Sequence, residues 1–92
     1  MSDGAYDLVV AGPAARPISE TLPEAVSAAV VEFITTALID NPLRVGRPLR
    51  NELAGIHSAR RGTYRVLYRI DEVERTVTVL RIDHRRDVYR TR

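Results

Sequence analysis

The stretch that decides the fold is HSARRGTYRVLYR, residues 57–69. It predicts two strands, over residues 56–61 and 64–70, joined by a hairpin turn at Gly62-Thr63. The second strand alternates in character, so its side chains are expected to divide between two faces of a sheet. One face would carry Tyr64, Val66, Tyr68 and Ile70, and the other Arg65, Leu67 and Arg69.

Upstream of this hairpin, the chain predicts one strand and then helical structure. Residues 6–11, YDLVVA, are typical of a short strand, and residues 13–21 predict a short or kinked helix because Pro17 lies one turn inside it. Residues 22–40 show a stripe of apolar residues at helical period. Thr21 and Glu24 match a capping box, and Asn41-Pro42 is expected to end the helix.

The remaining segments complete an α+β pattern in one domain, residues 1–92. Residues 43–55 predict an irregular connector, residues 75–83 a third strand of the hairpin region, and residues 84–92 a short basic tail. Period-two alternation places Leu80 and Ile82 on one face of that third strand and Val77, Val79 and Arg81 on the other. The helix is expected to cover one sheet face, and the open face is expected to carry Arg65, Leu67, Arg69 and Arg81.

Charge is distributed unevenly along the chain. Residues 1–42 contain six acidic residues and one basic residue, whereas residues 43–92 contain six acidic and thirteen basic residues. Every basic residue is arginine, whose planar fork suits phosphate, so nucleic acid or an acidic protein is the expected partner. A GC-rich genome would also explain why lysine is absent, although it would not explain why the arginines are concentrated in the C-terminal half. Cysteine is absent, and no apolar run approaches the length of a membrane span, so we expect a cytoplasmic protein without membrane contact.

The sequence lacks the common motifs of a zinc site, a serine nucleophile and a phosphate-binding loop. His57 and His84 lack the spacing of zinc ligands, and neither a nucleophile elbow nor a phosphate-binding glycine loop is present. Arginines, a tyrosine and histidines remain, which can bind an RNA phosphate and stabilise charge that develops on it. Such a set favours RNA cleavage by attack of the 2′-hydroxyl, and no cofactor or metal is expected.

Two runs, NPLRVGRPLRNELAGIHSARRGTYRVLYRID and IDHRRDVYR, resemble the bacterial RelE/ParE toxin superfamily, most closely its actinobacterial RelE branch. The resemblance implies a small antiparallel-type β-sheet with two N-terminal helices packed on one face, in the order β-α-α-β-β-β with a short C-terminal segment. It also implies a toxin of a type II toxin–antitoxin system that cleaves mRNA in the ribosomal A site. Its implied partners are a RelB-like antitoxin with a disordered segment that folds on the toxin, and operator DNA reached only through the antitoxin complex.

The resemblance also implies roles for individual residues. The positions that match the family's catalytic pattern are Arg60, Arg65, His84, Arg85 and Tyr89. Additional RNA contacts are expected from Arg44, Arg47, Arg50, Arg61, Arg81 and Arg86. Ser58 stands where many members of the family have a lysine or arginine, so the catalytic strength of this protein is left open.

Two other functions remain open at this point. A ParE-like inhibitor of DNA gyrase would share the fold and cut no RNA. A catalytically weak member would only bind its antitoxin and regulate its operon.

Overall fold

The computed structural model describes residues 5–50 and 55–84, which form a five-stranded sheet in the order β1-β5-β4-β3-β2. The strands are β1 Asp7–Val10, β2 Arg47–Pro48, β3 Ile56–Arg61, β4 Tyr64–Asp71 and β5 Thr76–His84. Strand β1 runs parallel to β5, and the other three pairings are antiparallel. The predicted α+β class is therefore confirmed, with a parallel first pair and one additional strand, β2, inside the predicted connector.

Four α-helices and one π-helical turn connect β1 to β2. They are α1 Gly12–Arg16, the π-helical turn Pro17–Thr21, α2 Glu24–Thr35, α3 Ala37–Asp40 and α4 Pro42–Val45. The kink predicted at Pro17 lies where α1 passes into the π-helical turn, because proline has no N–H with which to continue the helical bonding.

Two features of the predicted long helix are wrong. No capping box forms, because Leu22 and Pro23 are extended and separate Thr21 from the start of α2, where Pro23 occupies the N-cap position. The helix also breaks at Thr36, whose φ of −125° and ψ of −84° lie outside the helical region. Thr36 Oγ1 donates a hydrogen bond to the Glu32 carbonyl at 2.5 Å, a local side-chain bond of the kind that bends helices.

The helical layer covers one face of the sheet. Tyr68 Oη donates to the Pro42 carbonyl at 2.6 Å, and Tyr64 Oη to the Ala29 carbonyl at 3.4 Å, so both tyrosines point toward the helices as the alternation of β4 predicted. The core between the layers includes Val30, Phe33, Ile34, Leu38, Ala59, Tyr64, Val66, Tyr68, Val77, Val79 and Ile82. Within residues 5–50 and 55–84, no helix is both long enough and apolar enough to cross a bilayer.

An irregularity in β5 sets which of its side chains face the core. Leu67 pairs with Arg81, but the next residue, Tyr68, pairs with Val79, so Leu80 has no partner across β4. A single extra residue of this kind reverses the alternation of all residues beyond it. The predicted grouping of Val77 and Val79 with Arg81 is therefore wrong, whereas the predicted place of Arg81 on the open face is confirmed. Val77, Val79 and Ile82 share the buried face, and Arg81 is exposed.

Candidate functional site

The sheet face opposite the helices carries a charged row across three strands. Arg60 of β3 pairs directly with Arg65 of β4, and Arg65 pairs with Asp83 of β5. Residues directly opposite in antiparallel strands have Cβ atoms about 5 Å apart and point to the same side. Both arginines are exposed, so two arginine side chains extend from neighbouring positions on an open surface with an aspartate at the next position of the row.

A second row runs parallel to the first, two residues along each strand. Arg47 of β2 pairs with Ser58, Ser58 with Leu67, and Leu67 with Arg81. The position at which Ser58 replaces a basic residue is therefore flanked by the exposed Arg47 of the neighbouring strand. Strand β2 brings Arg47 to the sheet. The pairing of Arg47 with Ser58 could not be predicted from the alternation of residues in the sequence.

Arg69 adds a further exposed cation to this face, since it lies two residues beyond Leu67 on β4. Its place on the open face was predicted, although it was not among the predicted site residues. We call the surface formed by these side chains the arginine face; its members are Arg47, Arg60, Arg65, Arg69, Arg81 and Asp83. The five arginines outnumber Asp83 and also Asp71, which lies two residues beyond Arg69 on the same side of β4, so this face is cationic and suits a polyanion.

Arg81 and Asp83 form an ion pair within the arginine face. Arg81 Nε donates to Asp83 Oδ1 at 2.8 Å, with side-chain exposures of 67% and 25%. A pair this open to water contributes at most about 1 kcal/mol to stability, so its main consequence is the orientation of the two side chains. Sequence reasoning did not select Asp83, and the signal for it was its place immediately before His84 in the basic tail segment.

Two predicted site residues lie on the opposite, helix-covered face. The guanidinium carbon of Arg61 lies 4.8 Å from the centre of the Phe33 ring, and Arg61 Nη1 donates to the Arg60 carbonyl at 2.9 Å. His84 is buried and pairs with Tyr64 across β4. The expected acid–base role of His84 and the expected RNA contact of Arg61 therefore do not fit this geometry, because both side chains are turned away from Arg60 and Arg65.

His57 also belongs to the helix-covered side. Its ring stacks on that of Tyr68, with centroids 5.5 Å apart and an interplanar angle of 27°. Burial lowers the pKa of His57, and its Nδ1 atom is buried without a hydrogen-bond partner among the described residues. The position favours a structural histidine.

The other predicted RNA contacts have separate positions. Arg44 lies on α4 and Arg50 follows β2, and both are exposed, but neither belongs to a row of the arginine face. Arg85, Arg86 and Tyr89 lie outside the described residues. Their predicted roles stay predictions.

A comparison with known families decides what this fold and surface belong to. The pattern of the ParE toxin of type II toxin–antitoxin systems, parDE, matches residues 14–89, which is most of the chain. The chain belongs to the ParE toxin family. Its predicted membership of the RelE/ParE superfamily is confirmed, and it is a toxin of the type II toxin–antitoxin class.

Individual relatives of this toxin agree with the family. It is 60% identical over 76 residues to toxin RelG of Mycobacterium tuberculosis, covering 83% of this chain and 87% of RelG. It is 47% identical over 88 residues to toxin RelE of the same organism, covering 96% of this chain and 90% of RelE. The crystal structure of the toxin–antitoxin complex RelBE2 from Mycobacterium tuberculosis matches with a TM-score of 0.84 and 54% identity, covering 88% of this chain and 99% of that one.

Proposed function

We propose that this toxin is a metal-independent endoribonuclease that cleaves mRNA in the A site of the ribosome. The observation that supports this proposal is the pairing of Arg60 with Arg65 on an exposed sheet face that no described helix covers. Adjacent guanidinium groups can bind one phosphate from two sides and stabilise the additional charge of a pentavalent phosphorane. Attack of the 2′-hydroxyl would leave a 2′,3′-cyclic phosphate and a 5′-hydroxyl.

The requirement for the ribosome is consistent with the shape of the surface. The arginine face is an open face of a sheet, and such a face offers charge with few walls to hold a flexible RNA strand in one conformation. Because orientation contributes a large part of many catalytic rates, an mRNA already held in the A site would supply what this surface lacks. The predicted contributions of Arg85 and Tyr89 belong to the same proposal.

The experiment that tests this proposal compares neighbouring arginines on opposite faces. Programmed ribosomes carrying end-labelled mRNA are incubated with the wild-type toxin and with Arg60→Gln, Arg65→Gln and Arg61→Gln variants. We expect Arg65→Gln to lower the cleavage rate by about 100-fold or more, which is typical of losing one charge-stabilising donor. Arg60→Gln should lower it in the same direction. Arg61→Gln removes an equal charge from the other face and should cleave within about threefold of wild type.

The same experiment includes mRNA without ribosomes and a gyrase supercoiling assay. A gyrase inhibitor is the second candidate function, because the matching family carries the ParE name. Inhibition of supercoiling without any mRNA cleavage would contradict the RNase proposal and support the gyrase inhibitor. Equal cleavage by all three variants would show that the arginine face is not the active surface.

A RelB-like antitoxin is the proposed protein partner. The relative that supports it is the toxin of the RelBE2 toxin–antitoxin complex, which is 54% identical to this chain. An antitoxin segment that covers the arginine face would neutralise cleavage, and operator DNA would be bound through the antitoxin. Co-expression with a RelB-like antitoxin, followed by purification of a stoichiometric complex that does not cleave mRNA, tests this proposal.

A further inference from the structure

Asp83 is a carboxylate at the end of the row that contains Arg60 and Arg65. Arg81 donates to its Oδ1 at 2.8 Å from the same strand, and Arg65 lies directly opposite it on β4. Arg60 is one strand further along the same row. A negative charge here repels a phosphate that the arginines attract, so it weakens RNA binding. RNA binding therefore does not explain a carboxylate at this position, and the exposed ion pair with Arg81 adds little stability.

The arginine face offers few groups that can take a proton. Arginine stays protonated at any pH at which the protein is folded, and a serine hydroxyl such as that of Ser58 is not a base on its own. His57 and His84, the two histidines of the sequence, lie on the helix-covered face. Among the described members of the arginine face, Asp83 is the one carboxylate, and a carboxylate can accept a proton. Asp71, two residues beyond Arg69 on β4, accepts hydrogen bonds at its Oδ1 from the backbone N–H groups of Val73 and Glu74.

We propose that Asp83 is the general base of the cleavage reaction, an inference that rests on the proposed RNase function. Its carboxylate takes the proton of the 2′-hydroxyl while that oxygen forms a bond to phosphorus. The bond between phosphorus and the 5′-oxygen then breaks, and the leaving 5′-oxygen takes a proton from water or a neighbouring acid. The carboxylic acid of Asp83 afterwards returns its proton to solvent, so the base is regenerated.

The neighbours of Asp83 suit this role. A hydrogen bond from Arg81 to Oδ1 fixes the orientation of the carboxylate, and Oδ2 is a second acceptor on the same group. Arg65 is directly opposite Asp83, which places their Cβ atoms about 5 Å apart. Arg65 would hold the scissile phosphate while Asp83 deprotonates the adjacent 2′-hydroxyl. The exposed fraction of 25% leaves the carboxylate within reach of a bound strand.

The test uses Asp83→Asn and Asp83→Ala with Asp7→Asn as the matched control. Asparagine keeps an oxygen that can accept the Arg81 hydrogen bond but cannot act as a base, whereas alanine removes both. Asp7 pairs with Thr76 on the same sheet, seven residues along β5 from Asp83, about 23 Å away. Single-turnover cleavage is measured with saturating toxin on programmed ribosomes. Binding is measured with an mRNA that carries a 2′-deoxynucleotide at the cleavage position.

We expect Asp83→Asn and Asp83→Ala each to lower the single-turnover rate by about 100-fold or more, the range of general base catalysis. Both should bind the 2′-deoxy mRNA at least as tightly as wild type, since a repelling charge has been removed. Asp7→Asn should cleave like wild type. If Asp83→Asn cleaves within about threefold of wild type, or if either variant loses binding, Asp83 orients Arg81 or supports the surface, and the proposal is overturned.

The proposed function and the role of Asp83 fail in different ways. If the wild-type toxin cleaves no mRNA in this assay, the RNase function itself is wrong. If the wild type cleaves and both Asp83 variants cleave equally well, only the general-base assignment is wrong.

Discussion

Replacement of Gly46 by alanine should destabilise this toxin through a collision that the sequence does not reveal. Gly46 follows α4 in an extended conformation, with φ of −141° and ψ of −174°, which alanine adopts without strain. A Cβ atom at Gly46, however, would lie 2.7 Å from the carbonyl oxygen of Ser58 and closer still to Tyr68 Oη. The Ser58 carbonyl belongs to the strand that pairs with β2, so it cannot move without disturbing that pairing.

The magnitude follows from the two groups that must shift. Tyr68 is fully buried, and moving its hydroxyl breaks the 2.6 Å hydrogen bond to the Pro42 carbonyl. Overpacking costs about 1–3 kcal/mol, and leaving a buried polar group unpaired costs about 1–3 kcal/mol. The loss of glycine's unfolded-state entropy returns less than about 1 kcal/mol. We therefore expect Gly46→Ala to lower the free energy of unfolding by about 1–5 kcal/mol.

The assay is urea unfolding followed by circular dichroism, with Gly12→Ala as control. Gly12 has no atom within 4 Å of the position of an added Cβ, so its replacement should change stability by less than about 1 kcal/mol. Tyr68→Phe removes one of the colliding atoms, so the double variant Gly46→Ala/Tyr68→Phe should lose less stability than the two single variants predict together. Wild-type stability for Gly46→Ala, or strict additivity in the double variant, would refute the close approach of α4 and β2 to Tyr68.

Three further predictions concern charge and protonation. Burial raises the pKa of Tyr68 to about 12 from 10.0, so the buried neutral phenol stabilises the folded state fully below pH 10, and this contribution is lost as pH rises through 12. Tyr68→Phe should reduce this loss when urea unfolding is measured at pH 9–12. Burial lowers the pKa of His57 below 6.5, so the free energy of unfolding should fall as pH drops below 6.5, and His57→Gln should remove this pH dependence. A wild-type stability that does not change between pH 5 and 7 would argue against the buried position of His57. Arg69→Gln should reduce the slope of log affinity against log salt for single-stranded RNA by about 0.7–1, whereas Arg16→Gln, on the helical side, should leave it unchanged; equal slopes for the two variants would contradict the assignment of binding to the sheet.

Much of the fold could be predicted because its signals are local. Alternation in β4 identified which side chains are buried, since Tyr64, Val66 and Tyr68 all lie in the core. The turn at Gly62, the strand at residues 7–10 and the kink at Pro17 also follow from the residues themselves. The helix over residues 22–40 was predicted as one element, and its break at Thr36 was missed because apolar periodicity continues through it.

The candidate site was only partly predictable because it depends on pairing between strands. Arg60 and Arg65 could be selected from their strands, and the structure brings them side by side. Strict alternation grouped Val77 and Val79 with Arg81, whereas the irregularity at Leu80 puts both valines on the buried face with Ile82. The same irregularity places Asp83 opposite Arg65, which no spacing in the sequence indicates.

From the amino-acid sequence one can predict the α+β class, the hairpin, the core face of β4 and the cationic character of the C-terminal half. These properties depend on residue type and on short-range periodicity, and both can be taken directly from the sequence. The pairing of strands decided that Val77 and Val79 share the buried face with Ile82, that Asp83 lies opposite Arg65, and that Arg47 stands beside Ser58. The physical reason is that one unpaired residue in β5 and a two-residue strand, β2, set the register between strands, and register is a property of pairs of segments rather than of either one.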